Sequence, residues 1–248
     1  CLDFKCSADA ILVGGLRGGE AVKNYLGQYD SYGRHRTGGS KISLFSIPEA
    51  DGAFCGQENF SLDQNKTLRM ATKKTLIIGA SGQDGAYLCR HLIRLGYEVH
   101  GTTRTHLKDV PNFGRLAIAG QVSLHIVNPE DSEQVADVFG SVEPDEAYML
   151  SGMSSVGKSF EHPVESLSSN IVALLNVLET IRALGPGIRL FFACSSDCFG
   201  TTVAPADINT PFQPCSPYGI AKTAGYFLTK FYRESYALHV CSGVLFNH

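Results

Sequence analysis

No tryptophan occurs in the 248 residues, and the first of only three methionines is Met70. Basic residues are not in excess: 21 Lys and Arg face 24 Asp and Glu, for a net charge of −3, which leaves no electrostatic footprint for a nucleic-acid partner. No apolar stretch is long enough to span a bilayer, and the first residues lack a signal-peptide pattern, so no membrane partner is expected. The eight cysteines contain no CxxC pair, and neither a histidine nor a second pair accompanies Cys194 and Cys198. Structural zinc sites need such groupings, so no metal is expected; the cysteines read as buried, reduced thiols of a cytoplasmic protein. A GxSxG elbow is also missing, which argues against a serine hydrolase.

The late first methionine coincides with a change in character. Residues 1–69 mix glycine clusters with polar segments. Within them "AILVGGLRGGE" places glycines at 14, 15, 18 and 19, a spacing that fits neither GxGxxG nor a P-loop and reads as a glycine turn. The expectation is that the natural protein starts at or near Met70. Residues 1–69 would then be an unassigned extension or neighbouring sequence, and residues 70–248 one domain.

What is present is an alternation. Apolar strand candidates fall at 75–78, 98–102, 122–127, 146–150, 189–194 and 239–245, with helical stripes between them. The clearest stripe is Ile171, Leu174, Leu175, Leu178 and Ile181. Such alternation specifies an α/β fold with a doubly wound parallel sheet. Within it, "KTLIIGASGQDGAYL" runs from a buried strand into Gly79, Gly82 and Gly85, and then into a helical stripe at Leu88, Leu92 and Leu95. Glycine in a strand-to-helix turn accepts positive φ and lets a ligand approach the backbone. The following helix N-terminus offers N–H groups and partial positive charge to a pyrophosphate. A dinucleotide cofactor is expected here.

The second strand refines the cofactor. An NAD site usually carries an acidic residue at its end, whereas arginine accommodates a 2′-phosphate. This chain has Gly101-Thr102-Thr103-Arg104 and no acid, so NADP is expected, with Arg104 on the phosphate. Chemistry is expected from "SPYGIAK": Ser216 caps a helix, Pro217 fits its first turn, and Tyr218 and Lys222 share a face. A tyrosine is a weak base at neutral pH, but a nearby ammonium favours phenolate, so Lys222 is expected to lower the Tyr218 pKa. Ser195, Ser196 and Asp197 should sit at the carboxyl end of the fifth of these strands, where open α/β sheets hold ligands. There Ser195 can share a hydrogen bond with a substrate hydroxyl, and Asp197 is a candidate base.

Taken in order, "GQDGAYL", "GYEVHG", "PDEAYML", "SVGKSFEHP", "TPFQPCSPYGIAK", "YRESY" and "GVLFNH" resemble an extended short-chain dehydrogenase/reductase, and within that group the GDP-mannose 4,6-dehydratase family. The resemblance implies an NADP-binding Rossmann domain and a hydro-lyase reaction on a nucleotide sugar without net redox change. It implies that Gly79, Gly82, Gln83, Asp84, Gly85, Arg104, Asn128, Ser151, Tyr218 and Lys222 contact the cofactor. It further implies that Ser154, Ser196 and Asn247 contact the substrate, and that the full-length protein is a homo-oligomer whose substrate domain lies largely beyond His248. Where the family usually has Thr-Ser-Glu, this chain has Ser195-Ser196-Asp197, and Asn128 stands where an acid is usual. Two other readings remain open at this point: a reductase or epimerase of the same superfamily, and a non-catalytic Rossmann binding module.

Overall fold

Residues 11–13, 72–104 and 110–246 are described by a computed structural model. Its strands are β1 (Ile11–Val13), β2 (Lys74–Ile78), β3 (Glu98–Thr103), β4 (Ser123–Ile126), β5 (Glu146–Met149), β6 (Arg189–Ser195) and β7 (Val240–Leu245). Six of these match the expected strands to within a residue or so at each end. The seventh, β1, comes from the apolar triplet ahead of the glycines of "AILVGGLRGGE" and pairs in parallel with β7, Ile11 opposite Gly243. The glycines themselves lie outside the described residues.

Among the described residues all pairings are parallel, in the order β1-β7-β6-β5-β2-β3-β4. From β2 the chain proceeds outward through β3 and β4, then returns to the other side of β2 and proceeds through β5, β6 and β7. The reversal places a crevice between the carboxyl ends of β2 and β5, where sheets of this kind hold ligands. Alternate side chains on each strand feed two cores. Leu76 and Ile78 face one together with Met149, Leu190 and Phe192, while Ile77 faces the other with Val99 and Tyr148. A sheet covered on both faces is the doubly wound arrangement the alternation specified.

The helices are α1 (Gln83–Arg94), α2 (Pro111–Arg115), α3 (Ser132–Val142), α4 (Val156–Glu161), α5 (Pro163–Leu167), α6 (Ala173–Leu184) and α7 (Pro217–Tyr236). A π-helical turn, Ser168–Val172, joins α5 to α6. These three segments run on as Pro163–Leu184, 22 residues with a mean hydropathy of 1.3 in the apolar window. By length and composition this helix could cross a membrane, contrary to the expectation that no stretch is long enough; polar residues interrupt its apolar run. Here Leu174, Leu178 and Ile181 are fully buried in the core that covers one face of the sheet. The stripe proposed for α1 needs a rotation. Its buried face is Gly85, Ala86, Cys89 and Leu92, whereas Leu95 is 52% exposed because the helix has already ended at its C-cap.

Candidate active site

The three glycines of the first turn differ in what constrains them. Gly79 has φ +94°, and a Cβ there would lie 2.8 Å from the Ser151 backbone nitrogen. At Gly85 a Cβ would come within 2.4 Å of the Gly79 carbonyl, so this glycine lets α1 pack down on the turn. Gly82 has neither constraint: it is exposed, and its nearest neighbour would be at an ordinary 3.4 Å. Its bare surface is open to the crevice, as the close approach of a ligand requires. Gly82 is also the N-cap of α1, and no side chain caps that end. Two side chains outside the glycine motif hold the turn. The Gly79 N–H donates to Thr102 Oγ1 at 3.2 Å, and Asn112 Nδ2 donates to the Ser81 carbonyl at 3.0 Å.

These groups line one cleft with a volume of about 650 Å³. Gly79, Gly82, Gln83, Asp84, Gly85 and Arg104 line its first half, and Ser151, Ser154, Ser195, Asp197, Tyr218 and Lys222 its second. Pockets for small molecules run roughly 300–1,000 Å³, so the space suits a cofactor. The residues fit a nicotinamide dinucleotide: a glycine turn under an uncapped helix end, an exposed arginine after β3, and a tyrosine–lysine pair opposite.

Not every expected residue arrives there. Ser196 is half-buried in the 3₁₀ turn Ser196–Phe199 and does not line the cleft. Asn128 is exposed beyond β4 and also off the lining; its side-chain oxygen accepts from the Glu130 N–H at 3.3 Å, so it shapes the turn leading into α3. Asn247 lies outside the described residues. Asn170, outside every motif named above, sits in the π turn. Its Nδ2 donates to the carbonyls of Met153 at 3.1 Å and Ser166 at 2.9 Å, fixing the loop that carries Ser151 and Ser154. Gly152 in that loop has φ +130°, and a Cβ there would strike Asn170 Oδ1 at 2.4 Å. A polar residue inside an otherwise apolar helical stripe was the signal available in the sequence.

Tyr218 and Lys222 are presented by α7. Ser216 caps it by accepting from the Gly219 N–H at 3.0 Å, and Pro217 opens its first turn. The Lys222 ammonium donates to the Ala193 carbonyl at 2.9 Å and stands 5.7 Å from the Tyr218 ring centre. Contrary to expectation, the Tyr218 pKa is raised. Burial of the phenol is the main cause, and a hydrogen bond with Ser195 pulls the other way. Burial also lowers the Lys222 pKa. The ammonium is spent on a strand carbonyl, and desolvation of the phenol outweighs what remains of its field. Ser195 Oγ donates to Asp197 Oδ2 at 2.8 Å and accepts from the Asp197 N–H at 3.2 Å. Phenol, hydroxyl and carboxylate are therefore linked through Ser195 on the cleft wall.

A family model described as GDP-mannose 4,6 dehydratase matches residues 76–248. GDP-mannose 4,6-dehydratase of Vibrio cholerae is 36% identical over 189 residues, covering 71% of this chain and 50% of that protein. GDP-mannose 4,6 dehydratase 1 of Arabidopsis thaliana is 35% identical over 202 residues, covering 76% of this chain and 55% of that one. The chain thus spans about half the length of the curated relatives it matches. Among solved structures, UDP-glucose 4-epimerase of Thermus thermophilus in complex with NAD aligns with a TM-score of 0.61 at 26% identity, over 68% of this chain and 53% of that one.

Proposed function

The chain belongs to the GDP-mannose 4,6-dehydratase family, and on that premise we propose that residues 70–248 carry the cofactor-binding and catalytic part of a sugar-nucleotide dehydratase. The proposed substrate is GDP-mannose, the product GDP-4-keto-6-deoxymannose and the cofactor NADP. One observation carries this reading: the glycine turn, Arg104, Ser195, Asp197, Tyr218 and Lys222, scattered over 144 residues of chain, line a single cleft.

The backbone of residues 79–85 and the N-terminus of α1 would hold the pyrophosphate, and Arg104 the 2′-phosphate. When bound, the nicotinamide supplies reversible hydride uptake, so that the reaction has no net redox change. Tyr218 takes the proton of the sugar C4 hydroxyl, and Ser195 orients that hydroxyl. Lys222, anchored on Ala193, sets the position of its face of α7. With C4 oxidised, the C5 proton is acidified; Asp197 removes it, the C6–O bond breaks, and the departing hydroxide takes that proton as water. The raised Tyr218 pKa has a kinetic consequence. A base held in its protonated form works better as pH rises, so turnover should climb from neutral toward alkaline pH.

The supporting result is conversion of GDP-mannose to the 4-keto-6-deoxy sugar with catalytic NADP⁺, abolished by Tyr218→Phe. Turnover that survives Tyr218→Phe overturns the assignment of Tyr218. A cytoplasmic location is part of the proposal, supported by free thiols at Cys89, Cys194, Cys198, Cys215 and Cys241, and cell fractionation tests it. So is self-association: Ile220, Phe227 and Phe231 leave an apolar face of α7 exposed at helical spacing, and light scattering should return a mass above the monomer's.

A further inference from the structure

Along the sequence neither a histidine nor a second cysteine pair accompanies Cys194 and Cys198. The fold brings them together. Cys194 is the next-to-last residue of β6, and Cys198 lies in the 3₁₀ turn that follows. Ser195 caps that turn by accepting from the Asp197 N–H, and this reversal of the chain leaves the two sulfurs 3.3 Å apart. Both side chains are buried, but Cys194 also lines the cleft. Among the described residues no group of three or more His, Cys, Asp or Glu is gathered to hold a metal, so a dithiol reading stands ahead of a metal site.

We infer that Cys194 and Cys198 form a redox-active dithiol, open to a small peroxide through the cleft, which closes to a disulfide bracketing Ser195, Ser196 and Asp197. A disulfide needs sulfurs at about 2.05 Å, so the pair must close by roughly 1.3 Å. The electrostatics favour a thiolate in the pair. The hydrogen bond with Cys194 holds the Cys198 thiol down to about 7, and the Lys222 ammonium acts in the same direction more weakly. By contrast, burial pushes the isolated Cys89 thiol up to about 12.

The hydrogen bond to Cys198 and burial hold the Cys194 thiol well up, so the resting thiolate is on Cys198. Across the 3.3 Å contact that thiolate takes the Cys194 proton, and the Cys194 sulfur lining the cleft attacks a peroxide oxygen. An S–O bond forms, the O–O bond breaks, and the departing hydroxide takes a solvent proton as water. Cys198 gives up its proton again, and its thiolate attacks the Cys194 sulfenic acid. An S–S bond forms, the S–O bond breaks, and the leaving hydroxide takes that proton as a second water. Two thiols are oxidised by two electrons and one peroxide is reduced. Closure also draws the Cys194 sulfur away from the Lys222 carbonyl, to which it now donates at 3.4 Å, and restrains the segment that carries Ser195 and Asp197. The thiol chemistry does not rest on the proposed dehydratase reaction.

The test exposes the chain to hydrogen peroxide, alkylates free thiols after denaturation, and cleaves before aspartate. Cleavage before Asp197 and Asp207 separates Cys194, Cys198 and the exposed Cys215 onto different peptides. The expected result is a peptide pair holding Cys194 and Cys198 that separates only after dithiothreitol, with a loss of two hydrogens. These two cysteines should escape alkylation at least an order of magnitude sooner than Cys89. In Cys198→Ser, dimedone should trap a sulfenic acid at Cys194. Because the linkage is read on the unaltered chain, misfolding of that variant would leave the test intact. Cys194 and Cys198 that remain alkylatable, oxidise no faster than Cys89, or advance to sulfinic acids without a linked peptide overturn the inference.

Discussion

Arg104 is the residue on which the choice between the two nicotinamide dinucleotides turns. It stands exposed on the cleft rim directly after β3, where the last strand residues, Thr102 and Thr103, offer no carboxylate to a ribose hydroxyl. Arg104→Ala should weaken NADPH binding by about 1.5–3 kcal/mol, the worth of a charge-assisted hydrogen bond, and leave NADH almost unaffected. The absence of tryptophan lets nicotinamide fluorescence report both titrations with little protein background. Equal losses would remove Arg104 from the phosphate. Asp197 poses the second question at this scale. Its carboxylate accepts from Ser195 at 2.8 Å, so the base proposed for C5 is tethered beside the hydroxyl proposed for C4. Asp197→Asn should preserve hydride transfer from the sugar while deuterium uptake from solvent at C5 falls sharply. Asp197→Glu restores the longer acid usual in the family; since an offset of about 1 Å can cost on the order of a hundredfold, activity should hold or rise. Dehydration at the parental rate in Asp197→Asn would make Asp197 a turn residue.

Among the elements, legibility followed periodicity. The central strands β2, β5, β6 and β7 were readable because parallel strands buried on both faces are short and largely apolar. The cap of α7 was readable because Ser-Pro is a local signal, independent of anything distant. The face of α1 was misread at Leu95 because one residue at a helix end obeys the C-cap rather than the stripe. The π turn before α6 had no periodic signature, since its extra residue only shifts the register, yet it aims Asn170 at the loop beneath the cleft. The end of α7 yields a prediction of its own. Ala237 caps it with φ 53° and ψ 30°, a left-handed conformation that costs a residue with a Cβ roughly 1–2 kcal/mol. Glycine removes that cost but loses roughly 0.5–1 kcal/mol to the entropy of the unfolded chain. Ala237→Gly should therefore stabilise the protein by about 0.5–1 kcal/mol in urea denaturation without changing cofactor binding.

For the molecule as a whole, two half-buried imidazoles govern the first response to acid. Burial lowers the pKa of His91 and of His125, helped by the charges of Arg94 and of His100 respectively. The His91 Nε2 is buried with no hydrogen-bond partner, so charging it in place is unfavourable. Below an unfolded value of about 6.5, the unfolded chain binds more protons at these sites than the folded one. Their contribution is thus present above that pH and is lost as pH falls from it toward the lowered folded values. Melting temperature should drop between about pH 7.5 and 5.5, and His91→Gln should flatten the decline. A slope unchanged by that substitution would place the effect elsewhere. Glu98 and Glu179, whose folded values are lowered chiefly by hydrogen bonds to His100 and to Arg182, give up their contribution only in stronger acid.

By itself, the sequence determined the doubly wound sheet, the glycine turn and the tyrosine–lysine pair, because each is written in residues close together along the chain. Local spacing sets a strand's burial, a helix cap and the meeting of side chains four apart on one face. The tertiary structure alone decided what depends on distant segments meeting. Ala193 takes the Lys222 ammonium, so burial rather than a neighbouring charge governs the Tyr218 phenol. Gly79 must be glycine because Ser151 approaches from across the switch between β2 and β5. The Cys194 and Cys198 sulfurs meet because a 3₁₀ turn follows directly on β6, a reversal that the spacing of two cysteines does not encode.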